Sequence, residues 1–207
     1  PYFWNVIEIS DNLVWIDCEM TGLNPENDCL VEVAVVITNS ELEILDAGLD
    51  VVIKPRADSW AAMGDFVRQM HTDSGLINEV EDGLELAEAE QVILDYIKQF
   101  VPNAKEAPLA GNSIGTDRMF INRYMPALDQ HLHYRNIDVS SIKELTRRWY
   151  PRAYFQLPKK DGGHRALADI LESIDELRYY RQTVLVPLPG PTTDEAKAAA
   201  QTVKSTN

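Results

Sequence analysis

Three β-rich runs with short breaks between them open the chain: Leu13–Cys18, Leu30–Thr38 and Leu42–Ile53. Links this short favour an antiparallel meander over crossover connections. The first break, Gly22–Asp28, is rich in turn formers and holds Asn24-Pro25. After Ile53 the period changes. Leu86, Ala89, Ile93, Ile97 and Phe100 recur at helical spacing, which predicts an amphipathic helix over Leu84–Val101 with an acidic outer face. A short strand, Pro108–Gly111, leads into a helix from Ile114 to Met125. Tyr134–Val139 reads as a further strand. A helix then starts near Ser140, where Ser141 and Glu144 match a capping box. The last helix is expected over His164–Arg181, with Leu167, Ile170, Leu171, Ile174 and Leu177 as its apolar stripe.

Three strands, a helix, then strand and helix in alternation describe an α/β domain. The expected architecture is a mixed five-stranded sheet flanked by helices, the order of a ribonuclease H-like fold. With 207 residues, 45% of them apolar, the chain can bury one sizeable core, and a single domain is expected over 1–186. Beyond Val186, Pro187, Pro189 and Pro191 lead into an Ala/Thr/Lys-rich tail, 187–207, expected to be loosely ordered or an isolated helix. No run approaches the roughly 18 apolar residues of a membrane span, and Pro1–Ser10 lacks the basic-then-apolar order of a secretory leader. Cys18 and Cys29 make neither a disulfide framework nor a metal-ligand spacing. A reducing cytoplasm is the expected setting.

The formal net charge of -14 narrows the partners. Long nucleic acids bind through many phosphates, so a protein this acidic repels them unless its cations are concentrated. One stretch concentrates them. His131–Arg152 holds Arg135, Lys143, Arg147, Arg148 and Arg152 against Asp138 and Glu144. Such a chain suits either no nucleic acid or a very short one held locally.

Asp17 and Glu19 lie two apart on the first strand, so both side chains leave one face while Cys18 joins Val14 and Ile16 on the other. Adjacent carboxylates raise each other's pKa unless a cation intervenes; an acidic pair at a solvated edge is the plainer alternative. Asp117 falls in helical register with Phe120, Ile121 and Tyr124, inside the apolar stripe. A carboxylate placed there needs a cation, a proton or hydrogen-bond donors such as nearby backbone amides. His164 and Asp169 follow Asp161-Gly162-Gly163. With His164 at or before the helix start and Asp169 about one turn in, both can approach a common point. Taken alone, Asp169 reads as exposed and His164 as a cap or surface residue.

Together these residues form a pattern. Asp17-Cys-Glu19, Asn112-Ser-Ile-Gly-Thr-Asp117 and His164-Arg-Ala-Leu-Ala-Asp169 resemble the three motifs of the DEDDh exonucleases. The likeness narrows with Trp15-Ile-Asp-Cys-Glu-Met-Thr-Gly-Leu23, His71-Thr-Asp-Ser-Gly-Leu76, Pro108-Leu-Ala-Gly-Asn-Ser113, Leu132-His-Tyr-Arg135, Asp138-Val-Ser-Ser-Ile-Lys-Glu-Leu145 and Arg148-Trp-Tyr-Pro151. This string, over 12–182, resembles the oligoribonuclease family. One departure is Cys18, where many members carry an aliphatic residue; on the core face it bears on packing and oxidation sensitivity.

The resemblance implies a 3′→5′ exoribonuclease that hydrolyses very short RNA, dinucleotides especially, to nucleoside 5′-monophosphates. Asp17, Glu19, Asp117 and Asp169 would hold two Mg²⁺ or Mn²⁺ ions, Asp17 bridging them. His164 would be the general base, with the glycines before it letting its loop close. Met20, Leu23, Phe66 and His71 would contact bases or sugar. Ser113, Arg135 and Ser140 would cap the 5′ phosphate, a reason to prefer dinucleotides because a terminal phosphate carries more charge than a diester, and Asn112 would be a further substrate contact. Tyr134 would reach across a homodimer interface into the partner's active site. His131 and His133 look like a metal pair on paper but lack a third ligand, and His131 reads as surface or interface. Two other functions stand beside this one: a DEDDh exonuclease acting on longer strands, and an idle RNA-binding module that keeps the fold. The acidic charge and the Leu132–Arg135 block weigh against the first, and the full set of chemical residues against the second.

Overall fold

The computed structural model describes residues 11–159 and 163–205. In chain order its elements are β1 (Leu13–Met20), β2 (Leu30–Thr38), β3 (Leu49–Val52), α1 (Ala57–Ala62), α2 (Asp65–Asp73), α3 (Leu86–Phe100), β4 (Pro108–Gly111), α4 (Gly115–Tyr124), α5 (Pro126–His131), β5 (His133–Asp138), α6 (Val139–Trp149), α7 (Pro151–Tyr154), α8 (Ala166–Thr183) and α9 (Thr193–Ser205). The strands make one five-stranded sheet in the order β3-β2-β1-β4-β5. β1, β2 and β3 pair antiparallel as the short links require, while β4 and β5 join parallel on the far side of β1.

Alternation along β1 divides the interior. Val14, Ile16, Cys18 and Met20 pack with Ile93 and Ile97 of α3, Phe120 and Ile121 of α4 and Leu128 of α5. Trp15, with Ala34 and Val36 of β2, packs instead against Ala166, Ile170, Ile174, Leu177 and Tyr180 of α8. The parity that buries Trp15 also turns Asp17 and Glu19 toward α8. β1 is therefore the wall on which the carboxylates are mounted.

Four local expectations are corrected. Of the run Leu42–Ile53, only Leu49–Val52 is strand. Asn39 accepts the N–H groups of Glu41 and Glu43 on its side chain, closing a turn that Leu42 enters at φ 67; beyond an isolated bridge of Ile44 to Thr38, a regular ladder starts only after Gly48 at φ 87. The cap of α6 is Asp138, whose carboxylate accepts the Ser140 N–H at 2.9 Å, rather than Ser141; Glu144 is occupied by Arg147 and Arg148. Leu171 is exposed, because the buried face of α8 runs through Ala166, Ile170, Ser173, Ile174, Leu177 and Tyr180. His131 is buried at the end of α5, its Nε2–H donating to the Val101 carbonyl at 2.8 Å. In the tail, α9 is an exposed helix. Pro1–Ser10, Asp161 and Gly162 lie outside the described residues.

Candidate active site

The fold brings Asp17 and Glu19 of β1 together with Asp169 of α8, from opposite ends of the domain's sequence. One oxygen from each of the three lies within 4.8 Å of the others. Asp169 is partly covered rather than solvated. Asp117 comes from the other side. β4 ends at Gly111, and the N–H of Cys18, further along β1, donates to Oδ1 of Asp117 at 2.9 Å. The backbone-amide alternative for Asp117 is thus realised for one of its oxygens. Its carboxylate stands outside the group of three but is near enough to be, after burial, the largest influence on Asp17.

Electrostatics leave this acidic cluster short of compensating positive charge. Burial first, then Asp117, Asp169 and Glu19, push Asp17 up to about 9. Burial, then Glu32, Asp169 and Asp117, push Glu19 up to about 8, with Arg165 pulling the other way. Asp117 is raised by burial to about 7, held back by the N–H groups of its own backbone and of Cys18. Clustered carboxylates with no thiolate among them match the ligand preference of hard divalent cations; the Cys18 side chain faces the opposite core. The residues present fit such an ion.

His164 stands exposed two residues before α8, in the left-handed region at φ 47. A non-glycine residue held there is uncommon, costs on the order of 1–3 kcal/mol, and is concentrated at functional sites. Its charge reaches His71, whose pKa is lowered mainly by burial, with His164 adding. His71 is 0% exposed. Its Nε2–H donates to the Met20 carbonyl at 2.9 Å, so Nδ1 is left as a bare acceptor, without a hydrogen bond and 3.9 Å from Oε2 of Glu19.

The expected base contacts divide. Leu23 and Phe66 are 75% and 82% exposed, apolar surface open to a ring. Met20 and His71 are buried. Met20 shares the parity of Cys18 and so enters the core, and His71 is shut beneath the Met20 carbonyl. The phosphate residues also divide. Ser113, at φ 54, donates its N–H to Oδ1 of Asp138 at 3.1 Å and to Oγ of Ser140 at 2.7 Å, so Ser113 and Ser140 meet. Arg135 is exposed three residues earlier on β5, its guanidinium 5.5 Å from the ring centre of Tyr134. Asn112 is turned inward, donating to Oγ of Ser173 and Oε2 of Glu176 on α8. Tyr134 is 73% exposed on an edge strand, not packed in the core.

Sequence reasoning passed over Glu32 and Arg165. Glu32 is fully buried opposite Glu19, and Arg165 pairs with it at 2.7 Å. The signal was present: Glu32 is the one charged residue in the otherwise uncharged run Leu30–Thr38, and a buried carboxylate needs a partner.

A five-stranded mixed sheet with acidic residues gathered at the end of its central strand defines a class, and the comparisons agree with it. The family model described as Exonuclease matches residues 14–177. Solved exonuclease I structures share the fold. One from Methylocaldum szegediense aligns with TM-score 0.58 at 20% identity, over 84% of this chain and 41% of that one. The zinc-bound E. coli enzyme with single-stranded DNA aligns with TM-score 0.60 at 14% identity, over 84% of this chain and 41% of that one. The chain thus spans about two fifths of those proteins. Among curated relatives, an oligoribonuclease of Leifsonia xyli subsp. xyli is 63% identical over 194 residues, 94% of each chain. One of Streptomyces coelicolor is 57% identical over 192 residues, 93% of this chain and 96% of that one. The chain belongs to the oligoribonuclease family.

Proposed function

We propose that the protein is a metal-dependent 3′→5′ exoribonuclease that cuts very short oligoribonucleotides, dinucleotides above all, to nucleoside 5′-monophosphates. The observation that carries this reading is the meeting of Asp17, Glu19 and Asp169 from distant parts of the chain, in a sequence whose curated relatives are oligoribonucleases. Asp17, Glu19, Asp117 and Asp169 hold two divalent ions, Mg²⁺ or Mn²⁺. When bound, such ions supply positive charge that orients a water and stabilises the leaving oxygen.

The chain's own residues do the rest. His164, exposed two residues before α8, takes the proton of the attacking water, a role to which the imidazole side chain is chemically suited. Leu23 and Phe66 offer exposed apolar faces to the bases. Ser113 and Ser140 hold the 5′ phosphate, and Arg135 closes on it with a planar fork. A longer strand has to pass where that cap sits. The acidic chain, at net -14, supports a short substrate over a long polyanion. Edge strand β5 and exposed Tyr134 support a homodimer in which Tyr134 of the partner subunit completes the site. The two buried cysteines, both unbridged, accord with a reducing cytoplasm. No described helix is long and apolar enough to cross a membrane.

The test is a 5′-labelled ribodinucleotide incubated with the protein and Mn²⁺, with and without EDTA, beside a length series. EDTA-sensitive release of mononucleotide, fastest from the dinucleotide, is expected. Equal rates at all lengths point instead to an exonuclease of longer strands, and no hydrolysis points to a binding module.

A further inference from the structure

One guanidinium ties the start of α8, the helix that carries Asp169, to β2, the strand paired with β1. Arg165 precedes α8 directly and follows His164. Its Nε donates to Oε1 of Glu32 on β2 at 2.7 Å. The other nitrogens form a two-pronged pair with Glu79, at 2.9 and 3.1 Å, in the turn between Leu76–Asn78 and Val80–Asp82. Asp50 of β3 lies at 3.7 Å. The second oxygen of Glu32 accepts the N–H of Ala166, the first residue of α8, at 2.9 Å. Glu32 therefore grips both the arginine and the helix start, and it sits directly across the sheet from Glu19.

We propose that Arg165 is a positioning residue of the hydrolysis: it locks the start of α8 against β2, and so sets where Asp169 and His164 stand relative to Asp17 and Glu19. It rests on the functional reading above. The geometry argues for it in two ways. His164 is held at φ 47, an unfavourable backbone setting that persists only when its surroundings fix it, and Arg165 is its covalent neighbour. Asp169 enters the acidic cluster from α8 while Asp17 and Glu19 enter from β1, so the cluster closes only while helix and sheet keep their register. Lysine cannot replace the fork, since one ammonium does not span Glu32 and Glu79 together.

The experiment compares wild type with Arg165→Ala, Arg165→Lys and Glu79→Ala in the full chain. Four quantities are read: kcat and KM on a ribodinucleotide at saturating Mn²⁺, Mn²⁺ affinity by calorimetry without substrate, and Tm. Outer-shell partners of metal sites typically contribute about 10–100-fold in affinity or activity. Arg165→Ala is expected to lower kcat and Mn²⁺ affinity within that range while KM changes little. Arg165→Lys should recover part of both, and Glu79→Ala, which removes only the solvent-side arm, should cost less than either. If Arg165→Ala does not fold, Arg165→Lys carries the test, with reduced kcat and Mn²⁺ affinity at near-wild-type Tm. Variants that lose Tm but keep wild-type kcat and Mn²⁺ affinity overturn the proposal. Failure of the functional reading looks different, because wild type itself then neither binds Mn²⁺ nor releases mononucleotide.

Discussion

His164 and the clustered carboxylates carry opposite expectations when altered. Replacing His164 by Ala removes a proton acceptor but no metal-holding oxygen. Turnover of a dinucleotide should fall about 10²–10⁴-fold, the usual contribution of general acid–base catalysis, while calorimetric Mg²⁺ binding stays at the wild-type level. Near-normal turnover would remove the base assignment. The carboxylates titrate in a way that stability can report. Asp17 and Glu19 stand at about 9 and about 8 in the fold, against ordinary values of 3.8 and 4.5. A carboxyl raised by folding adds stability below its ordinary value and loses it as pH rises through the raised one. Without divalent ions, these two groups should therefore make the protein progressively less stable from about pH 4.5 to about pH 9. Mg²⁺ binds the charged forms, so the rise in Tm between EDTA and saturating Mg²⁺ should grow with pH across that window. A metal-induced shift that is flat or shrinks with pH would contradict the raised values.

Two element junctions build most of the site: the turn joining β4 to α4, and the approach to α8. At the first, Ser113 takes a left-handed φ of 54 and its N–H meets Asp138 and Ser140 from the other strand–helix junction, β5 to α6. Arg135 projects from β5 just before it. An arginine that closes over a terminal phosphate should matter most where that phosphate is always in reach. Arg135→Ala is expected to slow dinucleotide cleavage by at least about tenfold, the loss of one charge-assisted contact, and to slow a five-residue oligomer much less. Equal loss at both lengths, read from initial rates, rejects the cap. Much of this scale was legible beforehand. Leu30–Thr38 and Pro108–Gly111 were expected with the bounds found, because a short mainly apolar run between turn formers, interrupted in the first only by Glu32, leaves little choice. Asp117 was expected inside its stripe from its helical register with Phe120, Ile121 and Tyr124 and is 6% exposed. What escaped was long-range chemistry. No spacing rule joins Glu32 to Arg165 across 133 positions, and the cap of α6 fell to Asp138 because its side chain already serves Ser113 and Ser140. Local pattern places elements; only packing chooses among their polar partners.

At the scale of the whole molecule, the sheet leaves β5 as an edge, and an exposed edge strand is a place where chains meet. Tyr134 stands on that edge beside an open groove it lines with Arg118, Met119 and Asn122. A side chain that serves the neighbouring site makes each active centre the product of two chains, and symmetry then makes the claim testable by mixing. A chain with Tyr134→Ala keeps its own carboxylates but withholds the tyrosine from its neighbour. A chain with Asp17→Asn loses its carboxylate but still donates the tyrosine. Each alone should be nearly inactive on a dinucleotide. Co-refolded in equal amounts, half the dimers are mixed and each holds one complete site, so activity should return to about one quarter of wild type. If Tyr134 acts within its own chain, or the chain works as a monomer, the mixture gives no more than the sum of its parts.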